Sequence, residues 1–325
     1  MLEASVAGAP GQVPDVVTVG EAMALLMARQ SGPLSAVGEF GRATAGAELN
    51  VSVGLCRLGF KVGYVTRLGQ DSLGHNLREF MAAEGLDLRH VALDPRHPTG
   101  FMLKSMACDG TDPEVEYFRR GSAASHMSAA DVPAGDFGQA RRIHLTGISP
   151  ALSAGCREPV FAMACQARAS GRSVSFDPNL RPRLWASQSE MIDTVNALAS
   201  LADLVMPGLA EGQLLTGCQH EADIADFYLA RGARQVLVKQ GPRGAYFAGA
   251  GGRGTAPGHA VPHVLDTVGA GDGFAVGVIS ALLENLPLHA AAVRGNATGA
   301  RAVQFRGDCE GLPERAQLAL ALSQT

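Results

Sequence analysis

The chain carries no excess of positive charge: 27 Lys and Arg stand against 31 Asp and Glu, for a formal net charge of −4. That balance gives no electrostatic case for nucleic acid as the main partner. Long apolar runs are also missing. Those present are too short, or too interrupted by charge and glycine, to span a bilayer. The opening residues lack both a basic segment and an apolar core, so they do not read as a signal peptide. Residues 1–14 are expected to form a frayed tail, and a cytoplasmic location follows as an expectation. The six cysteines, Cys56, Cys108, Cys156, Cys165, Cys218 and Cys309, contain no C-x-x-C pair, which points to reduced thiols. His259 and His263 are four apart, but Pro257, Gly258 and Pro262 exclude the helix that would make them a metal pair. No G-x-x-x-x-G-K-[ST] occurs, so the chain is not a P-loop NTPase. Gly249-Ala-Gly251-Gly-Arg-Gly254 spells G-x-G-x-x-G, yet the Pro- and Gly-rich stretch after it cannot open a helix. It reads as a loop between two strands, which removes a dinucleotide-dependent dehydrogenase from consideration.

What is present is an ordinary globular composition, 46% hydrophobic and 18% charged, on a chain long enough to bury a full core. Short buried strands are predicted at Val16–Val19, Val62–Thr66, Arg142–Thr146, Val174–Phe176, Leu204–Met206 and Gln235–Lys239. Helical periodicity lies between them at Ala47–Leu58, Ser72–Glu84, Glu158–Ala169, Met191–Leu201, Glu211–Leu215 and Ala222–Arg231. This alternation predicts an α/β fold with a doubly wound, mostly parallel sheet over residues 15–325, with ligands at the carboxyl ends of its strands. Residues 24–44 and 99–120 break the pattern. They read as extended segments, the second a hairpin turning near Asp109-Gly110, able to pair into a small sheet beside the main one.

The run Asp266-Thr-Val-Gly269-Ala270-Gly271-Asp272-Gly-Phe274 carries the most chemistry. Gly269, Ala270 and Gly271 leave backbone amides open where the apolar helix Phe274–Leu283 begins, a natural phosphate cradle. Asp272 stands three residues from the start of that cradle, where a carboxylate can take a proton from an attacking hydroxyl. Two acids flanking a Gly-Ala-Gly turn exceed what a bland strand–helix junction needs. Farther upstream, Ala45-Gly46-Ala-Glu-Leu-Asn50 couples a glycine for close backbone approach with an amide that both donates and accepts. Asp177-Pro-Asn-Leu-Arg181 sets an acid, an amide and a guanidinium on one loop, and Tyr117-Phe-Arg119 puts a second arginine beside a tyrosine. Either arginine alone reads best as a solvated surface charge. Glu211 alone reads equally well as a helix N-terminal acid favoured by the dipole.

Together these segments, in this order, resemble the PfkB (ribokinase-like) sugar kinases over most of the chain, from Asp15 to about Pro313. The resemblance implies that Asp272 is the catalytic base, with Gly269, Ala270 and Gly271 as the anion hole. Gly46 and Asn50 would approach the sugar hydroxyls. Tyr117, Arg119, Asp177 and Arg181 match the segments by which 2-keto-3-deoxygluconate kinases of the family hold an acid sugar, although Phe101 stands where a tyrosine is frequent. Glu211 would order Mg2+ through water, with Gly208 replacing the usual asparagine. Lys239, Gly241 and Gly244 would border the phosphates and ribose of ATP, and Asn296 the adenine. A small β lid that often forms a dimer contact is implied, and a monovalent cation near Asp266 is allowed. The rival readings are a PfkB kinase for fructose, ribose or a nucleoside, and a decayed, sugar-binding regulator. Intact Asp272 argues against the second.

Overall fold

The computed structural model describes residues 13–106, 113–132 and 139–323. The chain opens with strands β1 (Val16–Val19), β2 (Met23–Ala28) and β3 (Phe40–Ala45), then helix α1 (Ala47–Arg57). Strand β4 (Val62–Gly69), helix α2 (Ser72–Ala83) and strands β5 (Val91–Asp94), β6 (Phe101–Lys104) and β7 (Val115–Phe118) follow. Next come β8 (Arg142–Thr146), α3 (Ser149–Leu152), α4 (Ala154–Ala169), β9 (Ser173–Asp177) and α5 (Gln188–Ala199). The remaining elements are β10 (Leu204–Val205), α6 (Leu209–Thr216), α7 (Glu221–Leu229), β11 (Gln235–Lys239), β12 (Gly244–Gly249) and β13 (Gly252–Pro257). Three helices end the described chain: α8 (Ala270–Leu283), α9 (Leu288–Ala302) and α10 (Arg315–Ser323).

Nine strands form one sheet in the order β13-β12-β11-β10-β9-β8-β1-β4-β5. Its pairings from β5 through β11 are parallel, and those of β12 with β11 and with β13 are antiparallel. Buried apolar strands such as Val16-Val-Thr-Val19 suit a sheet covered on both faces, and separate apolar clusters lie on the two sides. Because β1 has β4 on one side and β8 on the other, the winding reverses there, and a crevice opens at the strands' carboxyl ends. The second sheet, β3-β2-β6-β7, joins the two extended segments as expected. The hairpin tip near Asp109-Gly110, like residues 1–12, lies outside the described residues.

Several boundaries moved. Helix α4 starts four residues before the predicted Glu158, because the Ser153 hydroxyl accepts the Cys156 N–H and caps it there, leaving Pro159 inside. Strand β5 escaped prediction because it is four residues long with Ala92 exposed. Gly249 ends β12 and Gly252 opens β13, so the G-x-G-x-x-G run is a tight turn between strands followed by the start of the second. Most consequential, α8 begins at Ala270 and not at Phe274, which places Asp272 within its first turn.

Helices α1 and α8 pack side by side in the core, and Gly54 lets them touch. A Cβ on that residue would lie 2.5 Å from Val276 Cγ2.

Candidate active site

A cavity of about 450 Å3 sits between the carboxyl ends of the main strands and the small sheet. Gly46, Asn50, Tyr117, Arg119, Arg181, Glu211, Lys239, Gly269, Gly271 and Asp272 all line it, so distant segments of sequence do converge. Gly269 caps α8 with φ of 83°, a left-handed conformation that glycine adopts without strain. The amides that follow open the helix, whose dipole adds to their attraction for an anion. Behind them α8 is buried along most of its length, so the cradle rests on rigid core. Lys239 brings its ammonium to the same place: a Cβ on Gly271 would be 3.6 Å from Lys239 Nζ.

Asp272 is buried, and Asn50 Nδ2 donates to its Oδ2 at 2.7 Å. Burial pushes its carboxyl up to about 7, with Asp177 and Asp308 adding to the shift while the Asn50 hydrogen bond and Arg181 oppose it. A carboxyl pushed up to about 7 is well matched to accept a hydroxyl proton at neutral pH. Asn50 Oδ1 is buried and has no partner among the described residues, which leaves an acceptor for a substrate hydroxyl. At Gly46, φ is 137° and a Cβ would meet the Glu21 carbonyl at 2.5 Å, so the backbone can approach closely only because this residue is glycine.

The two arginines turn out to be different. Arg119 is buried, and its Nε and Nη2 both engage the Glu21 carboxylate. Glu21 is itself buried and also accepts the Ser122 hydroxyl. Arg119 therefore balances an internal acid instead of presenting a free charge, with the Nη1 donors and one Nη2 N–H left over. Arg181 donates to the Leu180 carbonyl at 2.9 Å and makes no ion pair among the described residues. Of the cationic side chains lining the cavity, it alone has no carboxylate partner among the described residues. Tyr117 pairs across the small sheet with Met102, a fellow lining residue, and the Arg119 guanidinium lies 5.7 Å from its ring centroid. Phe101 stacks on Phe118 at 4.7 Å and does not line the cavity.

Other expected contacts are taken by the protein itself. Asp177 does not line the cavity; its Oδ2 holds Lys239 Nζ at 2.6 Å. Burial works against both charges, but Asp177 and Glu211 outweigh it at Lys239 and keep that ammonium's pKa raised. Asn296 donates to the carbonyls of Ala256 and Pro257, fixing the end of β13. It lies outside the cavity, as do Gly241 and Gly244, which shape the turn between β11 and β12. Glu211 accepts the Leu180 N–H at one oxygen and the Gly208 N–H at the other, both at 2.7 Å. Its helix-capping role is thus realised. Each oxygen keeps a further lone pair and the residue lines the cavity, so a water-mediated hold on Mg2+ fits.

The residues fit an alkali cation at Asp266 less well. Lys104 Nζ lies 2.6 Å from Asp266 Oδ2 and 3.2 Å from Asp308 Oδ1, with all three side chains buried. Another positive charge within about 4 Å of that ammonium would be repelled by roughly 4 kcal/mol at an effective dielectric of 20. Lys104, Asp308 and Glu21 were missed by sequence reasoning. Lys104 left a trace, as the one charged residue in Phe101-Met-Leu-Lys-Ser-Met106.

Residues 13–315 match the pfkB family carbohydrate kinase profile. The chain belongs to that family. It is similar to a 2-dehydro-3-deoxygluconokinase of Bacillus subtilis (strain 168), with 47% identity over 310 residues that cover 95% of each chain. Among solved structures, a PfkB protein from Polaromonas sp. JS666 is 50% identical, with a TM-score of 0.88 over 94% of this chain and 99% of that one. An E. coli protein of the ribokinase II type in complex with ATP and Mg2+ is 26% identical, with a TM-score of 0.88 over 96% and 100% of the two chains. A Vibrio cholerae fructokinase double mutant, bound to fructose, ADP and a potassium ion, is 27% identical with a TM-score of 0.83, over 96% and 99%. This PfkB chain is thus an ATP-dependent sugar kinase with the ribokinase-like fold.

Proposed function

We propose that this PfkB kinase transfers the γ-phosphoryl group of ATP to the primary C6 hydroxyl of 2-keto-3-deoxygluconate, also named 2-dehydro-3-deoxygluconate. The observation that carries the substrate choice is Arg181, a cavity cation with no ion pair among the described residues. The 47% identity to the B. subtilis 2-dehydro-3-deoxygluconokinase supports it. A sugar carboxylate there gains charge-assisted hydrogen bonds that a neutral sugar cannot make.

The geometry supports the following steps of transfer. Asn50 Oδ1 and the close backbone at Gly46 orient the sugar. The Asp272 carboxylate accepts the proton of the hydroxyl as its oxygen bonds to the γ-phosphorus. The bond from that phosphorus to the bridging oxygen breaks in line and ADP leaves. Amides at Gly269 to Gly271 and the Lys239 ammonium stabilise the charge on the phosphoryl oxygens without reorganising. Magnesium, when bound with the nucleotide, neutralises phosphate charge, and Glu211 is the residue that would hold its waters. We place the enzyme in the cytoplasm. We also propose that lid strand β7, with Tyr117 46% and Phe118 47% exposed, contributes to a homo-oligomeric contact.

The test is kcat/KM of the unmutated enzyme for 2-keto-3-deoxygluconate, fructose and ribose in a coupled ADP-release assay. The acid sugar is expected to lead by roughly ten- to a hundredfold, the worth of one charge-assisted contact. A neutral sugar in the lead would replace this reading with another PfkB specificity.

A further inference from the structure

We propose that Lys104 is a built-in counter-charge that positions the phosphate cradle, so that this kinase works without alkali-cation activation. The idea rests on the kinase activity of the fold and not on which sugar accepts the phosphoryl group.

Lys104 ends lid strand β6, where it pairs with Met27 of β2 and Val115 of β7. Its side chain leaves the lid and enters the core between two carboxylates, 2.6 Å from Asp266 and 3.2 Å from Asp308. Each acid anchors one side of the cradle. Asp266 Oδ1 accepts the Val268 N–H at 3.1 Å, shaping the turn that leads into Gly269. Its Oδ2 lies 3.4 Å from the Gly307 amide, on the neighbouring loop. The Asp308 carbonyl packs so tightly on Gly269 that a Cβ there would be 2.5 Å away. Asp308 also lines the cavity beside Asp272 and lifts the proton affinity of that base.

Two buried acids at one spot are unfavourable unless a cation joins them. Burial disfavours the lysine charge as well, but Asp308 and Asp266 outweigh it and hold the ammonium in its charged form. A covalently attached cation cannot be diluted away. It also ties the lid to the loop that receives the phosphate, since one residue belongs to both.

The experiment measures turnover at constant ionic strength in tetramethylammonium, sodium, potassium and ammonium chlorides, with whichever sugar the enzyme accepts. Failure of one sugar shows as no rate in any salt. The ratio between salts is independent of the sugar. The unmutated enzyme is expected to vary by no more than about twofold across the series. Lys104→Met and Lys104→Ala should lose roughly ten- to a hundredfold in kcat in tetramethylammonium, as expected for removing one buried charge-assisted contact. Potassium or ammonium, small enough to sit between Asp266 and Asp308, should restore several-fold. Strong activation of the unmutated enzyme by potassium would overturn the proposal. Full turnover of Lys104→Ala in tetramethylammonium, or a loss that no cation repairs, would do the same. Should neither variant fold, the salt series on the unmutated enzyme decides alone.

Discussion

An Asp272→Asn enzyme keeps the size of the side chain and its place beside Asn50 while removing the base. Its chemistry and its stability should therefore move in opposite directions. Loss of a positioned general base lowers kcat by about 10²–10⁴-fold, while ATP should still bind. For stability, the carboxyl rises from an ordinary 3.8 to about 7 because it is buried. A shift of about three units at 1.36 kcal/mol each makes the ionised group cost about 4 kcal/mol above pH 7. The sign follows from the raised value. The stability of the protonated form is fully present below about pH 4 and is lost as pH climbs to 7. Asn carries no such penalty, though its amide meets Asn179 Nδ2, now 3.4 Å from Asp272 Oδ1, and gives some of the gain back. With an unfolding entropy of about 2.1 cal/mol/K per residue, 4 kcal/mol is about 6 °C for a chain of this length. Thermal melts from pH 4 to 8 should show the variant gaining on the parent up to pH 7 and then holding level. In the unmutated enzyme kcat/KM should fall below about pH 7 as the base takes up its proton. Turnover within tenfold of the parent would refute the assignment of the base. A Tm difference that ignores pH would refute the burial argument.

Arg181→Ala should raise KM for the acid sugar by roughly ten- to a hundredfold and leave that for fructose nearly unchanged, in steady-state kinetics; an equal effect on both would remove the carboxylate contact. Arg119→Ala should act mainly on stability, because it strands the buried Glu21 carboxylate: a loss of about 3–5 kcal/mol is expected, and an unchanged melting temperature would contradict the ion pair. Sugar with nucleotide should slow amide exchange in β2, β3, β6 and β7 more than in β1 and β8. Equal protection in both sheets would argue against a mobile lid.

The closeness of the glycine turn to Asp272 was legible in the sequence because they are neighbours in it: Gly269 to Asp272 is a single turn of chain. The alternation of strand and helix was legible for the same reason, each element declaring itself locally. What stayed hidden was pairing across distance. Tyr117-x-Arg119 names a cation but says nothing of Glu21, 98 residues earlier, which already holds it. Asp177 reads as a ligand contact until the fold sets it against Lys239, 62 residues later. Lys104 sits in an apolar strand, where a buried ammonium makes sense only once Asp266 and Asp308 are known to surround it. The early start of α8 was unreadable for a different reason: Gly-Ala-Gly is a poor helix sequence, and buried apolar packing along α8 overrides that propensity.

The close approach at Gly54 bears on the acidity of the site. Gly54 follows Asn50 by four residues and Val276 follows Asp272 by four, so each pair shares a helix face one turn apart. The missing side chain at position 54 acts as a spacer of zero thickness between α1 and α8. It sets how far Asn50 must reach to donate to the base. A methyl group there would wedge the helices apart one turn below the cavity and stretch that hydrogen bond. The carboxylate would then lose the donor that favours its ionised form, and its titration would move to higher pH. The acidity of Asp272 is thereby tied to an interhelical distance in the apolar core, at a residue that does not line the cavity.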